Sequence, residues 1–143
     1  MFHTSSEEDF RRLSLEIKLL ENTAQVLQSR INFVNAALAD LRMARMSLEG
    51  LSKEKKGAEL MVPIGGGSFI KVKLEDPNTV IAGVGAGVSV EKTLPEALNS
   101  IKTRIEELEK MNETLNQRLS QVIQRINEGR TKLQKIAEEL SSK

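Results

Sequence analysis

Apolar residues recur every three or four positions along two long segments of the chain. In the first segment, eleven of the twelve positions of one stripe are apolar: Phe10, Leu13, Ile17, Leu20, Ala24, Leu27, Ile31, Val34, Leu38, Leu41, Arg45 and Leu48. In the second, twelve of fourteen are: Leu94, Leu98, Ile101, Ile105, Leu108, Asn112, Leu115, Leu119, Val122, Ile126, Gly129, Leu133, Ile136 and Leu140. We call these two stripes the seam. A period of 3.5 residues keeps one helix face on a partner helix, so the pattern predicts coiled-coil helices over residues 5–56 and 93–142.

The segment between the helices has a different period. Leu60, Val62 and Ile64 alternate with other residues and are followed by three glycines, after which Ile70 and Val72 alternate in the same way. A second pair of β-branched runs flanks the glycines of residues 85–87. Period-two alternation around glycine turns is typical of β-hairpins, so residues 58–92 are predicted to form two of them.

Two helices of matched length joined by such an insert most simply pack antiparallel. In antiparallel helices the residue numbers of each facing pair have a constant sum. Matching the two seams in heptad register puts that sum at about 146. The resulting pairs are Leu48 with Leu98, Val34 with Asn112, and Ile17 with Gly129.

Three seam positions, Arg45, Asn112 and Gly129, depart from the apolar pattern. Asn112 and Gly129 can each be interpreted in two ways. A lone Asn in a seam usually fixes the register, so Asn112 is interpreted in that way rather than as a ligand-binding residue. Gly129 leaves space that Ile17 or Phe10 could fill, or it allows the helix end to flex. The sequence does not decide between these alternatives.

Residues at the helix ends suit capping. Thr93 and Glu96 have the spacing of a capping box, and Ser5 with Glu8 has the same spacing in the first helix. Gly57 follows a lysine-rich stretch and is predicted to lie just past the end of that helix.

Composition and charge exclude several classes of function. The net charge is +1, which gives no overall field toward nucleic acid or an anionic membrane. The chain has no cysteine and a single histidine, His3, so thiol catalysis and a Cys-ligated or His-rich metal site are excluded. A two-helix arm has no concave interior for catalysis, and we therefore expect neither an enzyme nor a cofactor. No apolar stretch approaches the length of a membrane span, which favours a cytoplasmic protein.

The glycines of the insert could in principle bind phosphate. The run from Gly83 to Gly87 does not match G-x-G-x-x-G, because Val88 occupies the third glycine position, and no Gly-Lys-Ser/Thr follows. The glycines are therefore interpreted as turn residues.

A second apolar row lies off the seam of the first helix. With Phe10 at heptad position a, Leu19, Val26 and Phe33 fall at c and Leu15 falls at f, which faces outward. We call these four residues the outer strip. One interpretation is that they are scattered surface residues or contacts with neighbouring subunits. The other is that they form a surface for extended apolar polypeptide, because exposed apolar patches often mark binding sites.

Isolated two-stranded hairpins are barely stable in water, so the insert needs cover from elsewhere. Unpaired strand edges join readily across chains, and we therefore expect the insert to be an assembly module shared by several subunits. The residues assigned to it, called the hairpin face, are Val62, Ile64, Ile70, Val72, Val80, Val84, Val88 and Val90.

The order of long helix, two hairpins and long helix resembles the α-type subunits of prefoldin, especially archaeal ones. The resemblance covers nearly the whole chain, and its most specific part is the insert with Val62-Pro63-Ile64-Gly65-Gly66-Gly67 and Val80-Ile81-Ala82-Gly83-Val84-Gly85-Ala86-Gly87. It implies an α+β fold in which a long antiparallel two-helix coiled coil carries two hairpins that build a β-barrel platform with other subunits.

The resemblance also implies partners and a function. A hexamer of two α-type and four β-type subunits would bind unfolded polypeptides at the distal coiled-coil tips without ATP and transfer them to a group II chaperonin. By location, the tip role falls on a group that we call the tip set: Phe10, Leu13, Ile17, Leu133, Ile136 and Leu140.

Two other interpretations of the same pattern remain. A structural filament or spacer protein could polymerise through the same hairpins. An amphipathic helix on a membrane surface is a third possibility, which the near-neutral charge disfavours.

Overall fold

The computed structural model describes residues 2–142 of the chain. Its elements are α1 (Phe2–Ser52), β1 (Glu59–Gly65), β2 (Ser68–Lys73), β3 (Thr79–Gly85), β4 (Val88–Thr93) and α2 (Leu94–Ser141). The predicted fold of two long helices with two β-hairpins between them is confirmed. The chain forms two compact units: one pairs α1 up to Ala36 with α2 from Glu109, and the other comprises Ala37–Leu108.

The seam forms the core of each unit. Every seam position is buried or half-buried, including the polar exceptions Arg45 and Asn112. The buried apolar residues are Ile17, Leu27, Ile31, Val34, Leu38, Leu41, Leu94, Ala97, Ile105, Leu115 and Ile126. All but Ala97 belong to the seam, so the 3.5-residue period alone identified almost the whole core.

The helices of the first unit meet at Gly129. A Cβ atom on Gly129 would lie 3.0 Å from Cγ1 of Ile17, so the predicted pairing of these two residues is confirmed. One residue further along α2, the Arg130 guanidinium donates a hydrogen bond to Oε1 of Glu21 at 3.2 Å. The isoleucine thus occupies the space that the missing side chain leaves.

The direction of packing follows from which residues share a surface. Leu13 lies beside Ile136 in one depression, and Val34 lies beside Leu115 in another. Residue numbers rise along α1 as they fall along α2. The two helices of this unit are therefore antiparallel, as predicted.

The first helix differs from its predicted bounds of 5–56 at both ends. It begins at Phe2, so the backbone of Ser5 is already helical and does not occupy the capping position. It ends at Ser52, whose hydroxyl donates to the carbonyl of Glu49 at 2.6 Å. Gly57 has a φ of +84° but opens the first hairpin instead of capping the helix, because its N–H donates to the Leu74 carbonyl at 2.7 Å.

The second helix begins at Leu94, one residue after the predicted start. Thr93 is the last residue of β4, and its Oγ1 accepts a hydrogen bond from the N–H of Glu96 at 3.3 Å. The capping role predicted for Thr93 is therefore confirmed. The N–H of Leu94 donates to the Asn78 carbonyl at 2.8 Å, which joins the start of α2 to the start of the second hairpin.

The strands form two separate antiparallel sheets of two strands each, β1 with β2 and β3 with β4. Val62 pairs with Ile70 in the first, and Ala82 pairs with Val90 in the second. Paired residues point to the same side of a sheet, so each hairpin has one predominantly apolar face.

Both hairpins turn through two residues with positive φ. Gly66 and Gly67 have φ values of 57° and 74°, while Ala86 and Gly87 have 52° and 74°. Left-handed conformations at both positions define the tight hairpin turn that matches strand twist. Three of these four turn residues are glycine, which adopts a left-handed conformation without steric cost. Ala86 is the fourth, and its Cβ atom disfavours this conformation.

Asp76 orders the link between the hairpins. Its carboxylate accepts hydrogen bonds from the N–H of Asn78 at 2.9 Å and from the Thr79 hydroxyl at 2.7 Å. The first of these bonds, followed by the second, holds the pKa of Asp76 below its ordinary value. This aspartate therefore favours the turn in its ionised form.

Candidate interaction surfaces

The outer strip lies on the solvent side of α1. Leu15, Leu19, Val26 and Phe33 are all exposed, and Phe33 is the most exposed of them at 77%. Leu19, Val26 and Phe33 are spaced by seven residues and so share one helix face. The predicted exposure of these residues is observed, and their role in binding stays a prediction.

A groove runs beside part of this strip, between α1 and α2 of the first unit. It has a volume of about 1080 Å³, with Val26 and Phe33 on one side and Met111 on the other. Arg30 and Arg118 also line it. Val26 and Phe33 of the outer strip are therefore part of one wall of a depression that both helices build.

The tip set is divided by burial. Ile17 is 6% exposed because it packs in front of Gly129. The other members are half-buried: Phe10, Leu13, Leu133, Ile136 and Leu140. A polypeptide that binds Ile17 must therefore first separate the two helices.

Charged residues surround the tip set. Asp9, Arg12 and Glu16 of α1 line a depression with Lys132 and Lys135 of α2. Arg12 forms an ion pair with Asp9 one turn away. Acidic and basic groups are mixed here, so this region presents no strong preference for one sign of charge.

The hairpin face remains largely uncovered within the chain. Six of its eight members are exposed: Val62, Ile64, Ile70, Val84, Val88 and Val90. Val72 and Val80 are half-buried. A sheet of two strands leaves the outer edge of each strand unpaired, so both apolar side chains and backbone groups are free for another chain.

Several exposed apolar residues were not singled out from the sequence. Met43, Met46, Met61 and Met111 are each more than half exposed, as is Ile81 at 80%. Methionine is flexible and polarizable, and it recurs on surfaces that accept varied partners. A count of off-seam methionines could have identified them, but the position of Met111 opposite Phe33 depends on how the helices meet.

Neither a metal-binding cluster nor a helix apolar enough to cross a membrane occurs within residues 2–142. No three His, Cys, Asp or Glu side chains come together there in an arrangement that could hold a metal ion. Neither α1 nor α2 contains a stretch apolar enough to cross a membrane over its described length.

Comparison with known proteins places this architecture in one family. The family model described as Prefoldin subunit matches residues 20–139. The chain is 31% identical to prefoldin subunit alpha of Pyrococcus horikoshii, covering 95% of this chain and 93% of that one. It is 36% identical to prefoldin subunit alpha of Methanosarcina barkeri, covering 83% and 85% respectively.

A solved structure agrees in fold as well as in sequence. The cryo-EM structure of filamentous PFD from Methanocaldococcus jannaschii superimposes with a TM-score of 0.66 at 25% identity, covering 78% of this chain and 93% of that one. The fold, the family model and the sequences of these relatives all indicate the same family, and the chain therefore belongs to the prefoldin family of chaperone subunits.

Proposed function

We propose that this subunit captures unfolded polypeptides on the coiled coil of its first unit, without ATP, and passes them to a group II chaperonin. The observation that carries the proposal is the outer strip. Its apolar side chains stay in solvent on a helix whose seam is already filled, so they do not serve the core of the chain. Such a surface suits extended chains with exposed apolar segments.

The tip set adds a second mode of capture in this proposal. Its half-buried members lie near the helix termini, where few neighbours hold each residue. Slight separation of the helices exposes leucine and isoleucine side chains to the client. Weak contacts from several arms of an assembly then combine into stable binding.

Assembly through the hairpin face is the third part of the proposal. We infer a heterohexamer of two chains of this kind and four β-type prefoldin subunits, with the hairpins pooled in a shared β-barrel. The uncovered apolar residues and free strand edges support this inference. Barrel closure removes strand edges, which is the physical gain from pooling the hairpins.

The strip is tested with a chemically denatured client whose aggregation is followed by light scattering. The protein is co-assembled with its β-type partner, and Leu19, Val26 and Phe33 are replaced together by serine. We expect the triple variant to lose most of the suppression of aggregation. Ile123→Ser is a single-site control, because Ile123 is an exposed apolar residue of the same unit that lies outside the strip. Equal suppression by parent and triple variant would remove the strip from the proposal.

A cross-link separates the two modes of capture. The chain has no cysteine, so Ile17→Cys with Gly129→Cys introduces one defined pair at a close contact. Oxidation locks the helices together without altering the outer strip. We expect suppression to fall partly on oxidation and to recover on reduction. Unchanged suppression would show that the helices need not separate.

A structural role in filaments is the second candidate. It is favoured by the similarity to a filamentous PFD and by the unpaired strand edges of both hairpins. Electron microscopy of the protein without a β-type partner distinguishes the candidates. Long rods combined with no suppression of aggregation would favour the structural role.

A further inference from the structure

The groove beside the outer strip has an unusual balance of charge. Arg30 of α1 and Arg118 of α2 are its two charged lining residues, and no carboxylate lines it. The chain as a whole carries 20 acidic and 21 basic residues. A cationic groove on a nearly neutral chain is therefore a local feature.

Neither arginine is paired with a carboxylate of the described residues. Within the part of the chain that the structure describes, Arg30 and Arg118 form no ion pair. Glu21, next in sequence to the first lining residue of α1, is engaged by Arg130 at 3.2 Å. Glu113 lies on α2 between two lining residues but does not itself line the groove. Both guanidinium groups therefore keep their hydrogen-bond donors for an external acceptor.

Apolar side chains line both sides of the groove together with the two arginines. Val26 and Met111 are 52% and 51% exposed, and Phe33 projects further into solvent. Arg30 lies between Val26 and Phe33 in the sequence, four residues after the first and three before the second, so all three share a helix face. One ligand can therefore contact the apolar side chains and a guanidinium group together.

We propose that this groove binds polypeptide segments in which bulky apolar side chains are flanked by aspartate or glutamate. The proposal rests on the proposed capture of unfolded chains and names the class of segment that this surface prefers. Apolar side chains of the segment pack on Val26, Phe33 and Met111. Its carboxylates accept charge-assisted hydrogen bonds from Arg30 and Arg118, whose planar guanidinium groups suit carboxylates.

The region around the tip set provides an internal contrast. It is lined by two acidic and three basic residues, and its ion pair between Arg12 and Asp9 is satisfied within the chain. An acidic segment gains little there and meets repulsion from the carboxylates. The two depressions of the first unit thus differ in the charge of the segment that each accepts.

The test uses two fluorescein-labelled peptides and the full chain assembled with its β-type partner. One peptide alternates Leu and Phe with Glu, and the other carries Gln in place of every Glu. Fluorescence anisotropy gives the dissociation constants. We expect the Glu peptide to bind about tenfold more tightly at low salt, as expected for two exposed charge pairs. Raising the salt concentration should remove that difference.

Substitutions locate the preference. Replacing Arg30 and Arg118 together by glutamine should equalise the two dissociation constants, because it weakens binding of the Glu peptide more than binding of the Gln peptide. Replacing both by lysine should restore part of the preference, because charge returns without the planar fork. Arg125→Gln is a single-site control, since Arg125 is exposed on α2 outside the groove. Thermal unfolding of each variant confirms that the fold is intact.

The outcomes separate this inference from the proposed function. Equal binding of both peptides by the parent, or a preference that survives the double glutamine variant, would overturn the inference. In either case, the proposed function would still stand if Phe33→Ser weakened the binding of both peptides to the same degree. Loss of client capture in the serine variants together with a charge preference confined to the groove would support both.

Discussion

The coiled coil and the hairpins use similar apolar residues with opposite results. Along the helices, seam residues such as Leu38 and Ile105 are only 2% exposed within the single chain. Along the hairpins, Val62 and Ile70 pair across the strands and yet are 42% and 51% exposed. A helix pair can complete its own core within one chain. A two-stranded sheet cannot, so we expect the hairpins to be the part of this protein that other subunits cover.

Removing apolar residues from the hairpin face should have the largest effect. Val62→Ser combined with Ile70→Ser takes away a cross-strand pair that we expect a neighbouring subunit to cover. The oligomer should dissociate into smaller species by native mass spectrometry, while helix content by circular dichroism changes little.

The opposite side of the same hairpin supplies a control for this experiment. Met61 and Phe69 lie on that side and are also exposed. Met61→Ser with Phe69→Ser removes the same number of apolar side chains. Dissociation of the control, with an intact oligomer in the first variant, would place the subunit contact on the other side of the sheet.

The coiled coil should show the next largest effect, on stability instead of assembly. Leu38→Ala removes a seam residue that is almost fully buried, and truncation of a buried leucine costs about 2–5 kcal/mol of unfolding free energy. Phe33→Ala truncates a larger side chain of the same helix but should stay within about 0.5 kcal/mol of the parent, because that side chain is in solvent. Denaturant unfolding followed by circular dichroism measures both. Similar losses in the two variants would mean that Phe33 is covered in the assembly.

A smaller effect is expected where the helices meet at Gly129. Gly129→Ala gains about 1 kcal/mol of helix propensity. The new methyl group, however, would lie 3.0 Å from Cγ1 and 3.3 Å from Cδ1 of Ile17. Since overpacking costs about 1–3 kcal/mol, we expect a net loss of stability in the parent.

The same substitution should change sign once Ile17 is shortened. In an Ile17→Ala background the close contacts are gone, and Gly129→Ala should stabilise the chain by about 1 kcal/mol. A double-mutant cycle by thermal unfolding gives the coupling between the two positions. Additive effects would show that Ile17 moves aside at no cost.

The smallest expected effect compares the two hairpin turns. Ala86 has a positive φ of 52°, where the first hairpin has Gly66 at 57°. Ala86→Asn should stabilise the second hairpin by about 0.5–1 kcal/mol, because asparagine tolerates this conformation better than alanine. Gly66→Ala should weaken the first hairpin by a similar amount. Hydrogen exchange of the strand amides measures each change, and an unchanged exchange rate in both would contradict the role assigned to the turns.

Periodicity by itself determined the seam, the two hairpins, the position of their turns and the outward direction of the outer strip. These features depend on local rules, namely the number of residues per helical turn, the alternation along a strand and the backbone freedom of glycine. For the same reason Ile17 could be matched to Gly129, since a heptad register links the two seams once the helices are antiparallel.

Other features were decided only by tertiary structure. Gly57 has the conformation of a helix cap but opens a hairpin, because the Leu74 carbonyl lies within hydrogen-bond distance of its N–H. Met111 and Arg118 join Phe33 in one groove because the register of α2 against α1 places them there. Such contacts join residues that are far apart in the chain. The local sequence pattern around each residue therefore cannot predict them. The sequence therefore determined which surfaces exist, and packing decided which side chains share them.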